Sequence, residues 1–245
     1  MSVEFHVIIP ARYQSSRLPG KLLMDLNGMT IIERVYRQAL LAAPKSITIA
    51  TDSIEIYQHA TAFGANAVMT ASTHPTGTDR LAEAIVLGNF SSHDIIVNVQ
   101  GDEPLISPQL IQQVAGTLAS SPAPMATLCW PITTIEEGCN PNVVKVVRDA
   151  QNNALYFSRS LIPANRDDLS QLKNVFRHIG LYAYRAGFVQ EFVQLPVCEL
   201  EMTEMLEQLR VLWAGYRIKV DTACVAPQQD INTAEDLKKA CEFLA

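Results

Sequence analysis

Two stretches of this chain hold residues suited to phosphate chemistry. The first is Pro10-Ala11-Arg12-Tyr13-Gln14-Ser15-Ser16-Arg17-Leu18-Pro19-Gly20-Lys21. It places Arg12, Arg17 and Lys21 within ten residues, and no Asp or Glu occurs from Phe5 through Met24. An acidic chain that keeps such a stretch free of carboxylates is equipped to hold an anion there. Gly20 permits close backbone approach, and serine hydroxyls and backbone N–H groups donate to phosphate oxygens. Spacing alone fits an ordinary basic surface loop equally well. The second stretch, Asp94–Pro104, ends in Gln100-Gly101-Asp102-Glu103-Pro104. A carboxylate such as Asp102, together with substrate phosphates, is how Mg²⁺ is usually held. A turn or helix-cap aspartate is the competing explanation.

Two common nucleotide motifs fail here. A P-loop requires G-x-x-x-x-G-K-[ST], but Leu22 follows Gly20-Lys21 and position 15 is Ser15. A dinucleotide fingerprint requires three glycines where this loop has one. Weaker candidates are Gly77-Thr78-Asp79-Arg80, which opens a helical pattern whose N-terminus favours an anion, with simple capping by Thr78 as the competing explanation, and His178 with Tyr182, four apart in a β-type run and so able to share a face. Glu204, Glu207 and Gln208 fall on one expected helix, the two glutamates three apart.

The elements that must position these residues alternate. Strands are expected at Phe5–Ile9, Ser46–Ala50, Ala67–Met69 and Asp94–Val99. Helices are expected at Ile31–Leu41, Ile54–Phe63, Thr78–Leu87 and Pro108–Leu118. This pattern predicts βαβ units and a parallel sheet, with both candidate loops beyond the carboxyl ends of its strands. After about Pro131 the pattern turns β-rich, with strands expected at Val143–Val147, Ala154–Phe157 and Ile179–Tyr184. Helices then follow at Ala186–Leu195 and Thr203–Trp213, a strand at Arg217–Val225, and a last helix opened by Thr233-x-x-Asp236. One α/β domain over 1–245, with an inserted lobe at about 131–185, is expected.

The chain has 245 residues, 48% hydrophobic and 18% charged, enough to bury a core. A net charge of −6 opposes a nucleic-acid clamp. No apolar run approaches the roughly 20 residues of a membrane span, and no signal-peptide pattern is present. A soluble, cytoplasmic protein without membrane insertion is expected. Five cysteines without C-x-x-C spacing fit reduced thiols.

Seven motifs together resemble one family. They are P-A-R-x-x-S-x-R-x-P-G-K (10–21), G-T-D-R-L-A-E (77–83), V-N-V-Q-G-D-E-P (97–104), N-P-N-V-V-K-V-V (140–147), A-L-Y-F-S-R (154–159), R-H-I-G-L-Y-A-Y-R-A-G-F (177–188) and M-L-E-Q-L-R-V-L (205–212). In order and over nearly the whole chain, they resemble the CMP-Kdo synthetases, cytidylyltransferases of 3-deoxy-manno-octulosonate (Kdo). The resemblance implies a Rossmann-like nucleotidyltransferase fold with a central, mostly parallel sheet and an inserted β-rich dimerisation lobe, hence a homodimer. It implies CMP transfer from CTP to Kdo with Mg²⁺, releasing pyrophosphate, in lipopolysaccharide synthesis. It assigns Arg12, Arg17 and Lys21 to the triphosphate, and Arg80, Gln100 and the backbone of Pro10, Ala11 and Gly101 to the nucleotide. Arg12, Lys21 and Asp102 become the catalytic group, and Arg159, His178, Tyr182, Glu207 and Gln208 surround the sugar acid.

One departure stands out. The family's G-V-D-T-P-E-D-L stretch, whose first Asp is a second metal ligand, here reads Asp230-Ile231-Asn232-Thr233-Ala234-Glu235-Asp236-Leu237. Asn232 stands at the ligand position, and Asp230 is expected to supply the missing charge, giving a metal set of Asp102, Asp230 and Asn232. The departure leaves two alternatives: a related acid such as 8-amino-Kdo or a sialic acid as acceptor, and a nucleotide-binding regulator impaired in turnover.

Overall fold

The computed structural model describes residues 3–13, 18–168, 170–228, 231 and 233–243. Strand β1 (His6–Ala11) is an interior strand of the sheet. Val7, Ile8, Ile9 and Ala11 are all fully buried, which is what an apolar run without alternation produces when both faces of a strand are covered. Through α1 (Ile31–Leu41) the chain reaches β2 (Ser46–Thr51), and through α2 (Ile54–Ala62) it reaches β3 (Asn66–Met69), each parallel to its neighbour. Helix α3 (Gly77–Leu87) then carries the chain back to β4 (Ile95–Asn98), which pairs in parallel on the other side of β1. This reversal opens a crevice between the carboxyl ends of β1 and β4, where open α/β sheets bind ligands.

Beyond α4 (Pro108–Ala119) come β5 (Met125–Pro131), α5 (Ile135–Cys139), β6 (Lys145–Arg148), β7 (Ala154–Ser158) and β8 (Phe176–Arg185). They are followed by α6 (Ala186–Phe192), α7 (Glu199–Glu204), α8 (Gln208–Trp213), β9 (Ile218–Thr222) and α9 (Ala234–Phe243). The sheet runs β3-β2-β1-β4-β8-β5-β9, with β8 antiparallel to both neighbours. The mostly parallel α/β sheet is the expected class.

Side chains alternate between two cores. Val7 and Ile9 join Ile31, Ile32 and Val35 of α1 and Leu110, Ile111 and Val114 of α4. Ile8 joins Leu81 and Ile85 of α3, Val189 and Phe192 of α6, and Leu209 of α8. Each fully buried side chain of this kind contributes about 1.5–3 kcal/mol.

Several expected elements differ in detail. Strand β5 and helix α5 were not expected. The single helix over Thr203–Trp213 is two, α7 and α8, because Met205 adopts a left-handed φ of 52° and ends the first. Strand β8 is longer than expected. Its far half pairs with β4, while Arg177 pairs with Lys145 of β6, so one ten-residue strand serves the main sheet and the β6–β7 hairpin. The Thr233–Asp236 capping pair forms in both directions, at 2.8 and 3.2 Å. All five cysteines are unpaired. Cys129 and Cys198 are buried, Cys139 and Cys224 exposed.

Candidate active site

Three chain segments meet at the crevice. After Ala11 the chain leaves β1 through Arg12 and Tyr13 and returns at Gly20, whose N–H donates to the Tyr13 carbonyl at 3.0 Å. Gly20 has φ 68°, a left-handed conformation that side chains resist, and it opens a 3-10 turn at Lys21–Leu23. That turn drops Lys21 inward. Its Nζ donates to Asp102 Oδ2 at 2.5 Å and to the Ile231 carbonyl at 3.0 Å. Ile231 N–H in turn donates to the Asp102 carbonyl at 3.1 Å. Gly101 makes this approach possible, because a Cβ there would sit 3.0 Å from the Pro10 carbonyl oxygen. The end of β1 and the loop after β4 are thus packed backbone against backbone.

The Lys21 and Asp102 side chains are 11% and 28% exposed, so the pair is shielded from most screening yet open on the carboxylate side. Arg17, Asp230 and Asn232 lie outside the described residues. Ile231, the residue between the last two, is bonded to both Lys21 and Asp102. No group of three His, Cys, Asp or Glu side chains forms a metal cage among the described residues. Mg²⁺ needs none, since one or two carboxylates complete its shell with waters and phosphates. Asp102 already attracts a cation, the Lys21 ammonium, and its chemistry fits the ion.

Beside the crevice lies a cleft of about 430 Å³ lined by Arg12, Tyr13, Asp52, Ser53, Glu55, Ser72, His74 and Arg80. Arg80 is fully buried. Its guanidinium donates to Asp52 Oδ2 at 2.6 Å and to the Thr70 hydroxyl, while its Nε has no partner. Asp52 was not among the expected site residues. It follows β2 at the same sheet edge, and a carboxylate at that edge was the available signal. Arg12 donates to the Pro75 carbonyl at 3.4 Å. Pro10 and Ala11 are buried at the end of β1, and Gln100 is half-buried after β4.

The start of α3 departs from expectation. Thr76 caps the helix, in a reciprocal capping box with Asp79. Thr78 is not the cap; its hydroxyl donates to Glu207 Oε2 at 2.6 Å. Burial pushes the Glu207 carboxyl above its usual range, opposed by the hydroxyls of Thr78 and Thr76 and by Arg210. Glu204 and Glu207 do not share a helix face. Glu204 ends α7 and accepts from the Ser158 hydroxyl at 2.7 Å and the Arg159 N–H at 2.9 Å, whereas Glu207 stands at the start of α8 without capping it and faces Thr78.

His178 and Tyr182 do share a face, their rings 5.2 Å apart. The Thr127 hydroxyl lies 2.9 and 2.8 Å from the carbonyls of Ile179 and Leu181 and 3.0 Å from His178 Nε2. With that proton on either carbonyl, the imidazole would donate through Nε2–H and keep Nδ1 as an acceptor. Burial pushes the His178 pKa down to about 3, leaving the ring neutral. Tyr182 is raised by burial and by the nearby Glu207 charge. Gln208 is buried at the start of α8. The Arg159 guanidinium is spent on three carbonyls: Glu204 at 2.6 Å, Pro141 at 2.9 Å and Met205 at 3.3 Å. It clamps the α7–α8 turn here.

The geometry therefore gathers Lys21 with Asp102, Arg12 with Arg80, and His178 with Tyr182 and Glu207 around one sheet edge. The family model for cytidylyltransferases matches residues 6–219. A 3-deoxy-manno-octulosonate cytidylyltransferase of Legionella pneumophila (strain Philadelphia 1) is 63% identical over 243 residues, covering 99% of this chain and 97% of its own. One from Vibrio vulnificus (strain CMCP6) is 48% identical over 248 residues, covering 99% of both. Among solved structures, a CMP:2-keto-3-deoxy-manno-octonic acid synthetase complexed with CTP superposes with a TM-score of 0.91 at 39% identity, covering 98% of each chain. A 4-diphosphocytidyl-2C-methyl-D-erythritol synthase shares the fold, at 11% identity and a TM-score of 0.67 over 99% of this chain and 98% of its own.

Proposed function

This chain belongs to the 3-deoxy-manno-octulosonate cytidylyltransferases, and from that premise we infer how its site works. It transfers CMP from CTP to Kdo and releases pyrophosphate. The anomeric hydroxyl of Kdo attacks the α-phosphorus of CTP in line, so two anions must be brought together. The observation that carries this reading is the convergence of Lys21 and Asp102 at the β1–β4 crevice.

Arg12 and Lys21, with Arg17, take the triphosphate and stabilise the charge that grows on the phosphoryl oxygens and on leaving pyrophosphate. The backbone of Pro10, Ala11 and Gly101, with Gln100, seats the nucleotide. Arg80 lines the cleft and fixes Asp52 there. Asp102 would hold Mg²⁺, and Asp230 would supply the charge that Asn232 lacks. The ion, when bound, would offset the charge of the anionic substrates and ease ionisation of the sugar hydroxyl. On the acceptor side, neutral His178 offers Nδ1 to a sugar hydroxyl. Tyr182, Glu207 and Gln208 complete the pocket, and Arg159 holds the turn that presents them.

The reaction serves lipopolysaccharide synthesis in the cytoplasm. The chain works as a homodimer through the 131–185 lobe. There a groove of about 600 Å³ is lined by Leu155, Pro163 and Phe176, with Leu155 exposed.

Pyrophosphate release from the purified protein, with each nucleoside triphosphate against Kdo, 8-amino-Kdo and sialic acid, tests the reading. CTP with Kdo is expected to give the highest kcat/KM. Preference for another acid would move the acceptor assignment, and no release with any pair would reject turnover. Asp230→Ala is expected to raise the Mg²⁺ concentration needed for half-maximal rate. An unchanged requirement would remove Asp230 from the metal set.

A further inference from the structure

Thr78 is an odd residue for its place. It lies in the first turn of α3, where a β-branched residue is a mediocre helix former, and the helix start is already satisfied by the Thr76–Asp79 capping box. Within a helix a threonine can donate its hydroxyl to the carbonyl four residues earlier, but for Thr78 that residue, His74, precedes the helix. The Thr78 side chain instead crosses to α8 and donates to Glu207 Oε2 at 2.6 Å, over 129 residues of sequence. Thr78 is 5% exposed, so water does not replace this bond.

Glu207 is equally odd. It occupies the N-cap position of α8 but makes no side-chain cap bond. Its carboxylate is turned away from its own helix toward the N-terminal turn of α3, close enough to Tyr182 and Tyr184 for its charge to act on both. Two groups that ordinarily serve their own helices have both been diverted to meet each other.

We propose that Thr78 is the positioning residue for Glu207, holding one carboxylate oxygen so that the other is aimed at a hydroxyl of the sugar acid. This rests on the reading above that Glu207 faces the sugar. The hydroxyl of Thr78 fills one acceptor site on Oε2 and, with the neighbouring Thr76 hydroxyl acting on the same carboxylate, restrains its plane. Oε1 then accepts from a substrate hydroxyl without a rotamer search on binding. The preceding residues tie this arrangement to the nucleotide side, because Pro75 accepts from Arg12 and Thr76 caps the same turn. Thr78 acts on the substrate through Glu207.

The test is steady-state kinetics of Thr78→Val, Thr78→Ser and Glu207→Gln, with Thr78→Ala as a second hydroxyl deletion should valine prevent folding. A hydrogen bond to a charged group is worth about a tenfold to hundredfold change in binding. Thr78→Val is expected to raise KM for Kdo by about tenfold or more, leaving KM for CTP within about twofold of wild type. Thr78→Ser is expected to restore most of the loss. The Thr78→Val/Glu207→Gln double variant is expected to add little to Glu207→Gln alone, since both remove one interaction. If Glu207→Gln raises KM for Kdo but neither hydroxyl deletion does, Thr78 has no positioning role. If Thr78→Ser behaves like Thr78→Val, the hydroxyl is irrelevant and the proposal falls. If Glu207→Gln leaves KM for Kdo unchanged, the assignment of Glu207 to the sugar is wrong, and this inference falls with it.

Discussion

Lys21 Nζ lies 2.5 Å from Asp102 Oδ2, a bond between residues 81 apart in the chain and the link between the basic loop after β1 and the acidic loop after β4. The same ammonium holds the Ile231 carbonyl at 3.0 Å, so one cation fastens three loops. A residue so placed keeps the crevice assembled, and under the proposed function it also faces the phosphates of a bound nucleotide. Lys21→Ala is expected to lower kcat by about 100- to 1,000-fold, the usual loss for a transition-state charge stabiliser. Asp102→Ala is expected to lose more, because it also removes the carboxylate assigned to Mg²⁺. Single-turnover rates with CTP and Kdo would measure both. Turnover near wild type in Asp102→Ala would defeat the mechanism.

Arg80 and Asp52 give a prediction about stability. Arg80 is fully buried, its bond to Asp52 is 2.6 Å, and its Nε already lacks a partner. Removing one member of a buried pair strands the other, at about 3–5 kcal/mol. Asp52→Ala is therefore expected to lower the urea midpoint strongly. An Asp52→Leu/Arg80→Met double variant is expected to recover much of the loss, because no charge is left stranded. A double variant less stable than Asp52→Ala would show that the pair contributes net stability.

Much of this was legible in residue types and spacing, for identifiable reasons. Strands β1 and β4 read clearly because both faces are covered, which leaves continuous apolar runs. Their loops read as a site because the switch from β3 back to β4 puts the carboxyl ends of β1 and β4 side by side. Asp52 was missed although it stands at the same edge, because a lone carboxylate after a strand looks like a turn residue until its arginine is seen. Thr76 and Thr78 lie two apart, and spacing does not say which one caps. The α7–α8 break had no Gly or Pro to announce it, since Met205 takes the left-handed conformation with its carbonyl held by Arg159. Strand β5 sits between prolines at 122, 124 and 131 and reads poorly as a central strand.

The lobe groove gives a third prediction. Leu155 on β7 is 61% exposed beside Pro163 and Phe176, and Arg148 lies over the Phe176 ring at 4.4 Å. If two copies pair through this face, Leu155 is buried in the dimer. A charge there would have to be desolvated without a partner. Leu155→Glu is expected to shift the protein from dimer to monomer in light scattering at micromolar concentration, with little change in the monomer's own fold. A dimer that persists in Leu155→Glu, or a wild-type protein that is monomeric, would place the interface elsewhere or remove it.

His178 gives the pH prediction. Its folded pKa is about 3, against 6.5 for the free side chain, because burial disfavours the imidazolium. Above pH 6.5 the ring is neutral in both folded and unfolded chains, and it adds no pH dependence. Below pH 6.5 the unfolded chain takes up a proton that the folded protein refuses, so stability falls as pH falls, until the folded ring also protonates near pH 3. The loss is about 1.4 kcal/mol per pH unit, or about 2 kcal/mol by pH 5. The acidic groups titrate over part of this window, so the comparison must be made within a pair of proteins. Urea unfolding of wild type and His178→Gln at pH 7.5 and pH 5.0 isolates the contribution, because glutamine keeps a donor for Thr127 but does not titrate. The gap between the two proteins is expected to close by about 2 kcal/mol from the higher pH to the lower. A gap that stays constant would mean that His178 protonates in place and that the ring is not held neutral.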